Sequence, residues 1–456
     1  RVDYLGCYGH PWIQTPTVDA LAAAGVVFEA AISQAPSTCP SHCTIMTSAY
    51  PFDHGAENGK PMRDGLVTLA DVFAAHGYET AAFVSSTTTR SISSGLHQGF
   101  ATYEDSLVPW ARAFGRDELQ HLILSYVLGV AQRSQIPGRV VSDRALRWLA
   151  DHADRPRFVW LHYFDPHSPY GSPPPYRGMY AGRINDGRPY AAERERYAED
   201  ITYVDAQLGR VIAALKSAGQ YDEMWIIVTS DHGEAFGEVH DGVREVAHGR
   251  YLYDTTQHVP LIVKPPASAG IRPRRVAEQV ELADIAPTLT TLLGMPTPQA
   301  WTGVSLQAAL AGRPASDEPR TAHAFNIIDI PAAEDPGRVD FVQQIALRTP
   351  QWKFIAIPRK RHEELYDLRT DPDERTNVKT AHAELLPSLR AIVAKFWDSS
   401  RAVDDDPRQR LAPALIRQLE ALGYMGGQPE PETDDGEGDV GDSTPDDRSP
   451  PATQKP

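Results

Sequence analysis

The sequence predicts an α/β protein whose central, mostly parallel sheet is flanked by helices. Helical segments with an apolar stripe alternate with short β-type runs along most of the chain. Two of these runs, "FVWLHYF" and "MWIIVTS", are almost continuously apolar, as expected of parallel strands that helices cover on both faces. Ligands bind beyond the carboxyl ends of such strands, so "HYFDPHSPY" and "SDHGEAFGE" are the predicted places for a site.

The individual elements follow one another in a regular order. "TPTVDALAAAGVVFEAA" opens with Thr and Pro, which predicts a helix from about Val18 to Ala24 and then a strand. Three further stretches each contain a helix, a Gly or Pro break and a strand: "LVTLADVFAAHGYETAAFVSS", "DRALRWLADHADRPRFVWLHYF" and "ERYAEDITYVDAQLGRVIAALKSAGQYDEMWIIVTS". This alternation is typical of the units from which parallel sheets are built.

Changes in composition divide the chain into four parts. Residues 1–312 carry the α/β pattern, and residues 313–400 carry shorter strand-like pieces such as "IALRT" and "KFIAIP", which predict a small C-terminal α+β subdomain. Residues 401–426 contain a predicted terminal helix, and residues 427–456 are acidic, rich in Pro and Gly and almost free of apolar side chains, which predicts disorder. The opening "RVDYLGCYG" reads as the interior of a domain, so we expect the first strand upstream of it.

Composition and charge exclude several classes of protein. The formal charge of −16 argues against nucleic-acid binding, since such proteins need clustered Lys and Arg. No run approaches the roughly 18–20 apolar residues of a membrane-spanning helix. Cys7, Cys39 and Cys43 match no zinc-site spacing. Membrane association, oligomeric state and compartment stay open, and a periplasmic, extracellular or membrane-anchored location is compatible with the sequence.

Polar side chains collect after the two apolar strands. Asp231 and His232 follow "MWIIVTS", and an oxygen ligand beside a nitrogen ligand suits a divalent metal; the alternative is a plain strand-to-loop turn. His248 brings another imidazole toward the same edge. His162 and His167 lie at the end of the other strand, where His162 is alternatively a packed core residue.

The stretch "APSTCPSHCTIMTSAYP" predicts a helix that begins near Pro40 and has Thr38 or Cys39 as its cap. The N-terminus of a helix attracts an anion such as sulfate or phosphate. A hydroxyl at that place, activated by a metal, would be a nucleophile toward an anionic ester. The alternative is that Thr38 only caps the helix.

Six segments of the chain resemble, in order, the landmarks of sulfatases and sulfatase-like hydrolases of the alkaline phosphatase superfamily. They are "LGCYGHPWIQTPTVDALAAAGVVFEAAISQAPSTCPSHCTIMTSAYPFDHG", "HYFDPHSPY", "VTSDHGEAFGE", "AHGRYLYDTTQHVPLIVKPP", "ELADIAPTLTTLLG" and "EELYDLRTDPDERTNV". The resemblance extends from Arg1 to about Met425. It implies that residues 1–312 form the catalytic domain and that the fold is alkaline phosphatase-like.

The resemblance also indicates which residue reacts. Sulfatases carry a Cys or Ser two residues before the Pro of C-x-P-S-R and convert it to formylglycine, whereas here that place holds Thr38. Cys39 and Cys43 are out of register. An unmodified Thr resembles the phosphodiesterase and phosphonate-hydrolase branches of the superfamily. His42 replaces the Arg of the motif, and "TAAFVSSTTTR" lacks the Lys and His of the G-K-W-H-L-G motif of sulfatases.

By the same resemblance, Asp231, His232 and Thr38 are metal ligands, and an Asp on the upstream strand completes the set. Without that strand and ligand, the chain as given is expected to be inactive. Two-metal relatives carry D-x-x-x-H before the "SDHG" strand, but the counterpart from Asp205 to Gly209 lacks the His. One divalent ion, Ca, Mn, Zn or Mg, is therefore expected.

The remaining imidazoles receive roles from the resemblance as well. His167 and His248 are expected to contact the anionic oxygens or protonate the leaving group, and His42 and His162 to bind substrate. The predicted function is a metal-dependent hydrolase of sulfate or of phosphate and phosphonate esters. Its substrate is a small molecule or a glycan or lipid ester. The alternatives are a phosphotransferase of the same superfamily and a noncatalytic, sulfatase-like binding protein.

Overall fold

The computed structural model describes residues 1–107, 135–314, 318–331 and 339–396. The predicted terminal helix and acidic tail lie outside these ranges. Within them, no helix combines the length and the apolar character that crossing a membrane requires.

The α-helices and β-strands of the described residues alternate over the first three quarters of the chain. The helices are α1 Pro16–Ala24, α2 Thr38–Thr47, α3 Pro51–His54, α4 Leu69–Ala75, α5 Ser91–Ser94, α6 Gly138–Asp151, α7 Ala191–Ser217, α8 Asp254–Gln257, α9 Ile285–Leu292, α10 Gln307–Leu310 and α11 Leu386–Phe396. The strands are β1 Val26–Ile32, β2 Glu79–Phe83, β3 Thr102–Glu104, β4 Arg157–Leu161, β5 Ile226–Thr229, β6 Ala235–His240, β7 Val243–Ala247, β8 His258–Lys264, β9 Arg274–Glu281, β10 Ala322–Pro331, β11 Val339–Arg348, β12 Trp352–Ile357 and β13 His362–Asp367.

The first helix begins slightly earlier than its apolar pattern predicts. We expected α1 from about Val18, but it begins at Pro16, with Thr15 as its N-cap. Proline suits the first helical position because its missing N–H would have no partner there and its φ angle is already helical.

Two sheets carry the α/β part of the molecule. One has the order β5-β8-β1-β9 and the other the order β3-β2-β4. The pairs β1/β9, β2/β3 and β2/β4 are parallel, whereas β8 is antiparallel to both β1 and β5. The predicted α/β class with a parallel-rich sheet flanked by helices is confirmed.

The strand β5 departs from the prediction in its direction and its burial. Its apolar sequence indicated a parallel strand covered on both faces, but β5 pairs antiparallel with β8 and its residues are half-buried. The residues of β4 are half-buried as well. Both strands lie at the edge of their sheets, so one side of each has no neighbouring strand among the described residues. An apolar run favours burial of a strand, but it specifies neither the place of the strand in its sheet nor the direction of the neighbouring strand.

The side chains of β1 show how the core is divided. Val26 and Phe28 pack into one apolar cluster and Val27 into another, because successive side chains of a strand point to opposite faces. The first cluster contains residues of α2, α4 and α9, and the second contains residues of α1, α6 and α7. Helices thus cover both faces of the sheet.

The C-terminal part contains an antiparallel sheet of order β10-β11-β12-β13, against which α11 packs. This agrees with the strand-like pieces in the sequence, while the boundary near residue 312 stays a prediction. The sheet is joined to the rest of the molecule by charged side chains that are buried or half-buried. The carboxylate of Asp254 accepts hydrogen bonds from Arg348 at 2.8 Å and from Lys353 at 2.7 Å. A second contact runs from the side-chain amide of Asn326 to the carbonyl of Gly249, beside His248.

Candidate active site

Thr38 is the first residue of α2. The prediction that Thr38 or Cys39 caps this helix is wrong by one residue, because Ser37 has the extended backbone of an N-cap. Pro40 lies in the first turn. Every residue of α2 is buried, so the beginning of the helix is a desolvated place where N–H groups and the helix dipole favour an anion. The side chain of Asn58, which the sequence did not single out, accepts a hydrogen bond from the N–H of Cys39 at 3.1 Å.

Asp231 and His232 follow β5 and reach the beginning of α2. The Nε2 atom of His232 lies 3.2 Å from the hydroxyl oxygen of Thr38 and 3.4 Å from the carboxylate of Asp231. The other ring nitrogen, Nδ1, donates to the carbonyl of Gly233 at 2.7 Å, so the lone pair is on Nε2. The hydroxyls of Ser33 and Ser41 donate to the carbonyl of Asp231, which ties the end of β5 to α2.

The turn after His232 requires glycine. A Cβ atom at Gly233 would collide with the carbonyl oxygen of Thr255, and the N–H of Gly233 donates to the carbonyl of Thr256 at 2.8 Å. The turn interpretation of "SDHG" is therefore correct as local structure. It does not compete with the chemical interpretation, because the same turn presents Asp231 and His232 to Thr38.

His42 and His162 also lie near Asp231. The Nδ1 atom of His42 is 2.9 Å from the carbonyl of Thr38 and 3.5 Å from the carboxylate of Asp231. The ring of His162 contacts that of His42 edge to face, with 4.8 Å between centroids. The hydroxyl of Thr89, from the segment that replaces the Lys and His of sulfatases, lies 3.4 Å from Nδ1 of His162.

His167 and His248 complete a group of imidazoles. The ring of His248 stacks on that of His232 at 4.1 Å and meets that of His167 edge to face at 4.7 Å. The Nδ1 atom of His167 donates to the carbonyl of Ser168 at 2.6 Å. The structure thus brings the seven site residues predicted from the sequence together: Thr38, His42, His162, His167, Asp231, His232 and His248.

Two residues of this group were not predicted. The carboxylate of Glu234 accepts a hydrogen bond from Nδ1 of His248 and another from the hydroxyl of Tyr170, each at 2.9 Å. Glu234 follows His232 by two residues, which is a weak signal in the sequence. Tyr170 is separated from Glu234 by 64 residues, so no local pattern pairs them.

The charge state of the site follows from its burial. Burial lowers the pKa of His42 and His232 below the ordinary value, that of His167 to about 3 and that of His248 to about 4. Burial would raise the pKa of Asp231, but the adjacent imidazoles outweigh this effect and hold that pKa well below its usual range. At neutral pH the site therefore presents the carboxylate of Asp231 among several neutral imidazoles.

Asp231, His232 and Thr38 fit a divalent cation by the chemistry of their donor atoms. They offer a carboxylate, an imidazole whose lone pair is fixed on Nε2, and a hydroxyl. The Nε2 atom lies 3.2 Å from the hydroxyl oxygen and 3.4 Å from the carboxylate. A backbone carbonyl that holds the other nitrogen is typical of metal-binding histidines. The donor set is partial, since within the described ranges no group of three or more His, Cys, Asp or Glu side chains is arranged to hold a metal.

A parallel-rich sheet between helix layers, with a buried helix N-terminus, a carboxylate and a group of imidazoles close together, defines an α/β protein with a candidate site for an anion and a divalent cation. Comparison with protein-family models is more specific. Residues 1–295 match the sulfatase model, and residues 245–396 match the model of the C-terminal region of N-sulphoglucosamine sulphohydrolase. The chain belongs to the sulfatase family, whose members are ester hydrolases that generally depend on a metal.

Individual relatives agree with this assignment. Arylsulfatase K of Bos taurus is 26% identical over 438 residues, which cover 84% of this chain and 76% of the relative. The multifunctional alkaline phosphatase superfamily protein PehA of Trinickia caryophylli is 25% identical over 485 residues, covering 86% of this chain and 91% of that protein. The phosphonate monoester hydrolase of Agrobacterium radiobacter has a similar fold, with a TM-score of 0.67, 23% identity and coverage of 87% of this chain and 92% of that one.

Proposed function

We propose that this protein hydrolyses an anionic ester with Thr38 as the direct nucleophile, and that phosphonate monoesters and phosphodiesters are its substrates ahead of sulfate esters. One observation carries the proposal. The Thr38 hydroxyl lies at the beginning of buried α2, 3.2 Å from Nε2 of His232. A threonine cannot be converted to formylglycine, so the hydroxyl itself must react. The choice of a phosphorus ester rests on this unmodified threonine, and a phosphonate monoester hydrolase has a similar fold.

The proposed metal site would hold a single ion. Asp231, His232 and Thr38 would bind it, and it would supply a Lewis acid that favours the alkoxide of Thr38 and neutralises the charge of the ester. Asp205 corresponds to a ligand of the second metal ion in two-metal relatives, but here it has a different role. Its carboxylate accepts hydrogen bonds from the N–H groups of Thr17 and Val18 at the beginning of α1. Which ion binds, and whether a further Asp upstream of the chain takes part, stay predictions.

The side chains divide the reaction between them. The oxygen of Thr38 attacks the phosphorus or sulfur atom as the bond to the leaving oxygen breaks. A neutral imidazole, His248 or His167, takes the proton that the Thr38 hydroxyl releases and passes it to the leaving oxygen. Water then attacks the covalent Thr38 ester, and the hydroxyl is restored as the acid product leaves. His42 and His162 line the same place, and the dipole of α2 favours the negative charge of the ester throughout.

The experiment compares substrates and examines Thr38 directly. The protein, expressed with any residues its gene encodes before Arg1, is loaded in turn with Mn, Zn, Ca or Mg. Turnover is then measured on nitrophenyl sulfate, bis-nitrophenyl phosphate and a nitrophenyl phenylphosphonate, and the peptide containing Thr38 is weighed. Cys39→Ser is the matched control, because it removes the neighbouring thiol without touching the nucleophile.

Each outcome has a definite meaning. Preference for the phosphorus esters, with an unmodified Thr38 and an active Cys39→Ser variant, supports the proposal. Preference for the sulfate ester, or an aldehyde at Cys39, contradicts it. Transfer of the phosphoryl group to an added alcohol in place of water would indicate a phosphotransferase. No turnover of any ester with any metal, together with tight binding of the anion, would indicate a binding protein.

A further inference from the structure

Glu234 is a buried carboxylate that contacts the imidazole group of the site without belonging to the predicted metal ligands. Its side chain is 4% exposed, and that of its partner His248 is 2% exposed. One carboxylate oxygen accepts the hydrogen bond from Nδ1 of His248, and the other accepts from Tyr170. A buried carboxylate is kept only where its oxygens find donors, so these two contacts account for its presence.

Residues outside the site also contact the segment around Glu234 and fix its position. The guanidinium of Arg1 donates to the carbonyl of Glu234 at 3.0 Å and to the carboxylate of Glu238 at 2.6 Å. The ring of Tyr170 packs against those of Tyr197 and Phe236. The carboxylate therefore has little freedom to leave His248.

We propose that Glu234 is a positioning residue for the ester hydrolysis. By accepting the hydrogen bond from Nδ1, it determines which nitrogen of His248 carries the permanent proton and makes Nε2 the atom that exchanges a proton with the substrate. The inference rests on the proposed function, in which His248 handles the proton of the leaving group. The same logic operates wherever a carboxylate orients a reacting imidazole.

The proton movements balance over the two half-reactions. As the oxygen of Thr38 attacks, Nε2 of the neutral His248 takes up the proton that the Thr38 hydroxyl releases and gives it to the leaving oxygen when the ester bond breaks, while Nδ1–H stays bonded to Glu234. When water attacks the Thr38 ester, Nε2 takes a proton from that water and returns it to the oxygen of Thr38, and the acid product departs with the new oxygen. The bond between Nδ1 and Glu234 persists through both steps, so Glu234 orients the ring and gains or loses no proton.

Two substitutions separate positioning from mere packing. Glu234→Gln keeps a side-chain oxygen that can accept from Nδ1, whereas Glu234→Leu fills a similar volume without an acceptor. Glu245→Leu is the matched control, because Glu245 is also buried beside an imidazole, with His240 at 3.3 Å, and lies outside the site. Thermal unfolding of each variant shows whether it folds.

Activity is measured with two leaving groups on the same phosphonate. A poor leaving group, phenol, needs a proton donor, whereas 4-nitrophenol leaves as an anion. Glu234→Leu is expected to lower kcat for the phenyl ester about 100-fold, at the lower end of general acid catalysis, and for the nitrophenyl ester less than about 5-fold, with KM nearly unchanged. Glu234→Gln and Glu245→Leu are expected to stay within about 5-fold of the unsubstituted protein for both esters.

Nitrogen NMR gives a readout that does not depend on turnover. In protein labelled with ¹⁵N-histidine, the signals assigned to His248 by their loss in His248→Ala should show a protonated Nδ1 in the unsubstituted protein and in Glu234→Gln. In Glu234→Leu the proton should be distributed over Nδ1 and Nε2, so that the signals of the two nitrogens become similar. An unchanged tautomer in a folded Glu234→Leu variant would overturn the inference.

The design separates this inference from the proposed function. If His248→Ala itself leaves the hydrolysis of the phenyl ester intact, the role of His248 in the proposed function is wrong. If His248→Ala lowers that rate but Glu234→Leu does not, only the positioning role of Glu234 is wrong. If both roles are right, the double variant His248→Ala/Glu234→Leu loses no more activity than His248→Ala alone, since the two residues act as one unit.

Discussion

Acid should loosen the helix that carries Thr38, and His54 is the residue through which this effect can be measured. His54 ends α3, is fully buried and contacts α2 through Thr44. Its Nδ1 atom accepts a hydrogen bond from the N–H of Ala56 at 3.0 Å, so its proton is on Nε2, 3.1 Å from the hydroxyl of Thr44. The neutral ring satisfies both contacts, whereas a second proton would remove the first of them.

The size of the effect follows from the pKa. Burial lowers the pKa of His54 from 6.5 to about 3. Above pH 6.5 both the folded and the unfolded states hold a neutral ring and no stability is lost. Between pH 6.5 and 3 the unfolded state binds a proton that the folded state does not, so stability falls as the pH falls. Linkage gives a loss of about 2 kcal/mol between pH 7 and pH 5 from this residue alone.

The assay compares the unsubstituted protein with His54→Asn. Asparagine keeps an acceptor for the N–H of Ala56 and does not titrate, so it lowers stability by the same amount at every pH. Urea unfolding at pH 7 and pH 5 gives the free energy of unfolding of both proteins. Other buried imidazoles contribute equally to both and cancel in the difference. The unsubstituted protein should lose about 2 kcal/mol more than His54→Asn between the two pH values. Equal losses would refute the reasoning.

Three further substitutions test the site and its support. Thr38→Ala should lower turnover by at least about 1000-fold with the melting temperature nearly unchanged, since it removes the nucleophile, and activity above about a tenth would exclude that role. Asp231→Asn should weaken Mn binding, measured by calorimetry, by at least about 100-fold, and an unchanged affinity would exclude Asp231 as a ligand. Arg320→Leu leaves the buried carboxylate of Asp284 without its partner, from which Arg320 is 2.6 Å away. It should reduce stability by about 3–5 kcal/mol in urea unfolding, and a loss under about 1 kcal/mol would show that Asp284 is adequately held by backbone N–H groups.

Local sequence patterns were sufficient to predict the helices and strands and to select most of the residues that meet in the candidate site. The apolar stripes, the Pro of α1 and the Gly after His232 are physical requirements of short segments, and such requirements are visible in a sequence. His162 follows β4 and Asp231 follows β5, and the rule that ligands bind beyond the carboxyl ends of strands predicted that these residues lie near each other, although β5 is antiparallel to its neighbour. The register of Thr38 relative to Pro40 also came from the sequence.

Other features depended on pairings that no local pattern contains. The direction of β8 relative to β5 could not be read from either apolar run, because side-chain burial does not depend on the direction of the neighbouring strand. The contact between Asn58 and the beginning of α2 joins residues about 20 positions apart through a loop. The cap of α2 was misplaced by one residue because Ser37 and Thr38 are both good capping residues, and only the backbone distinguishes them.

The sequence by itself determined the α/β class of the protein and, through the resemblance of its motifs, the family to which it belongs, and it predicted Thr38 as the reacting residue. Those properties depend on periodicity and on residue types at short spacings. Only the tertiary structure decided how the imidazoles are oriented. Tyr170, Glu234 and His248 come from separate segments, and their hydrogen bonds exist only after the sheet and its loops have packed, because long-range contacts in a buried site are specified by the whole core.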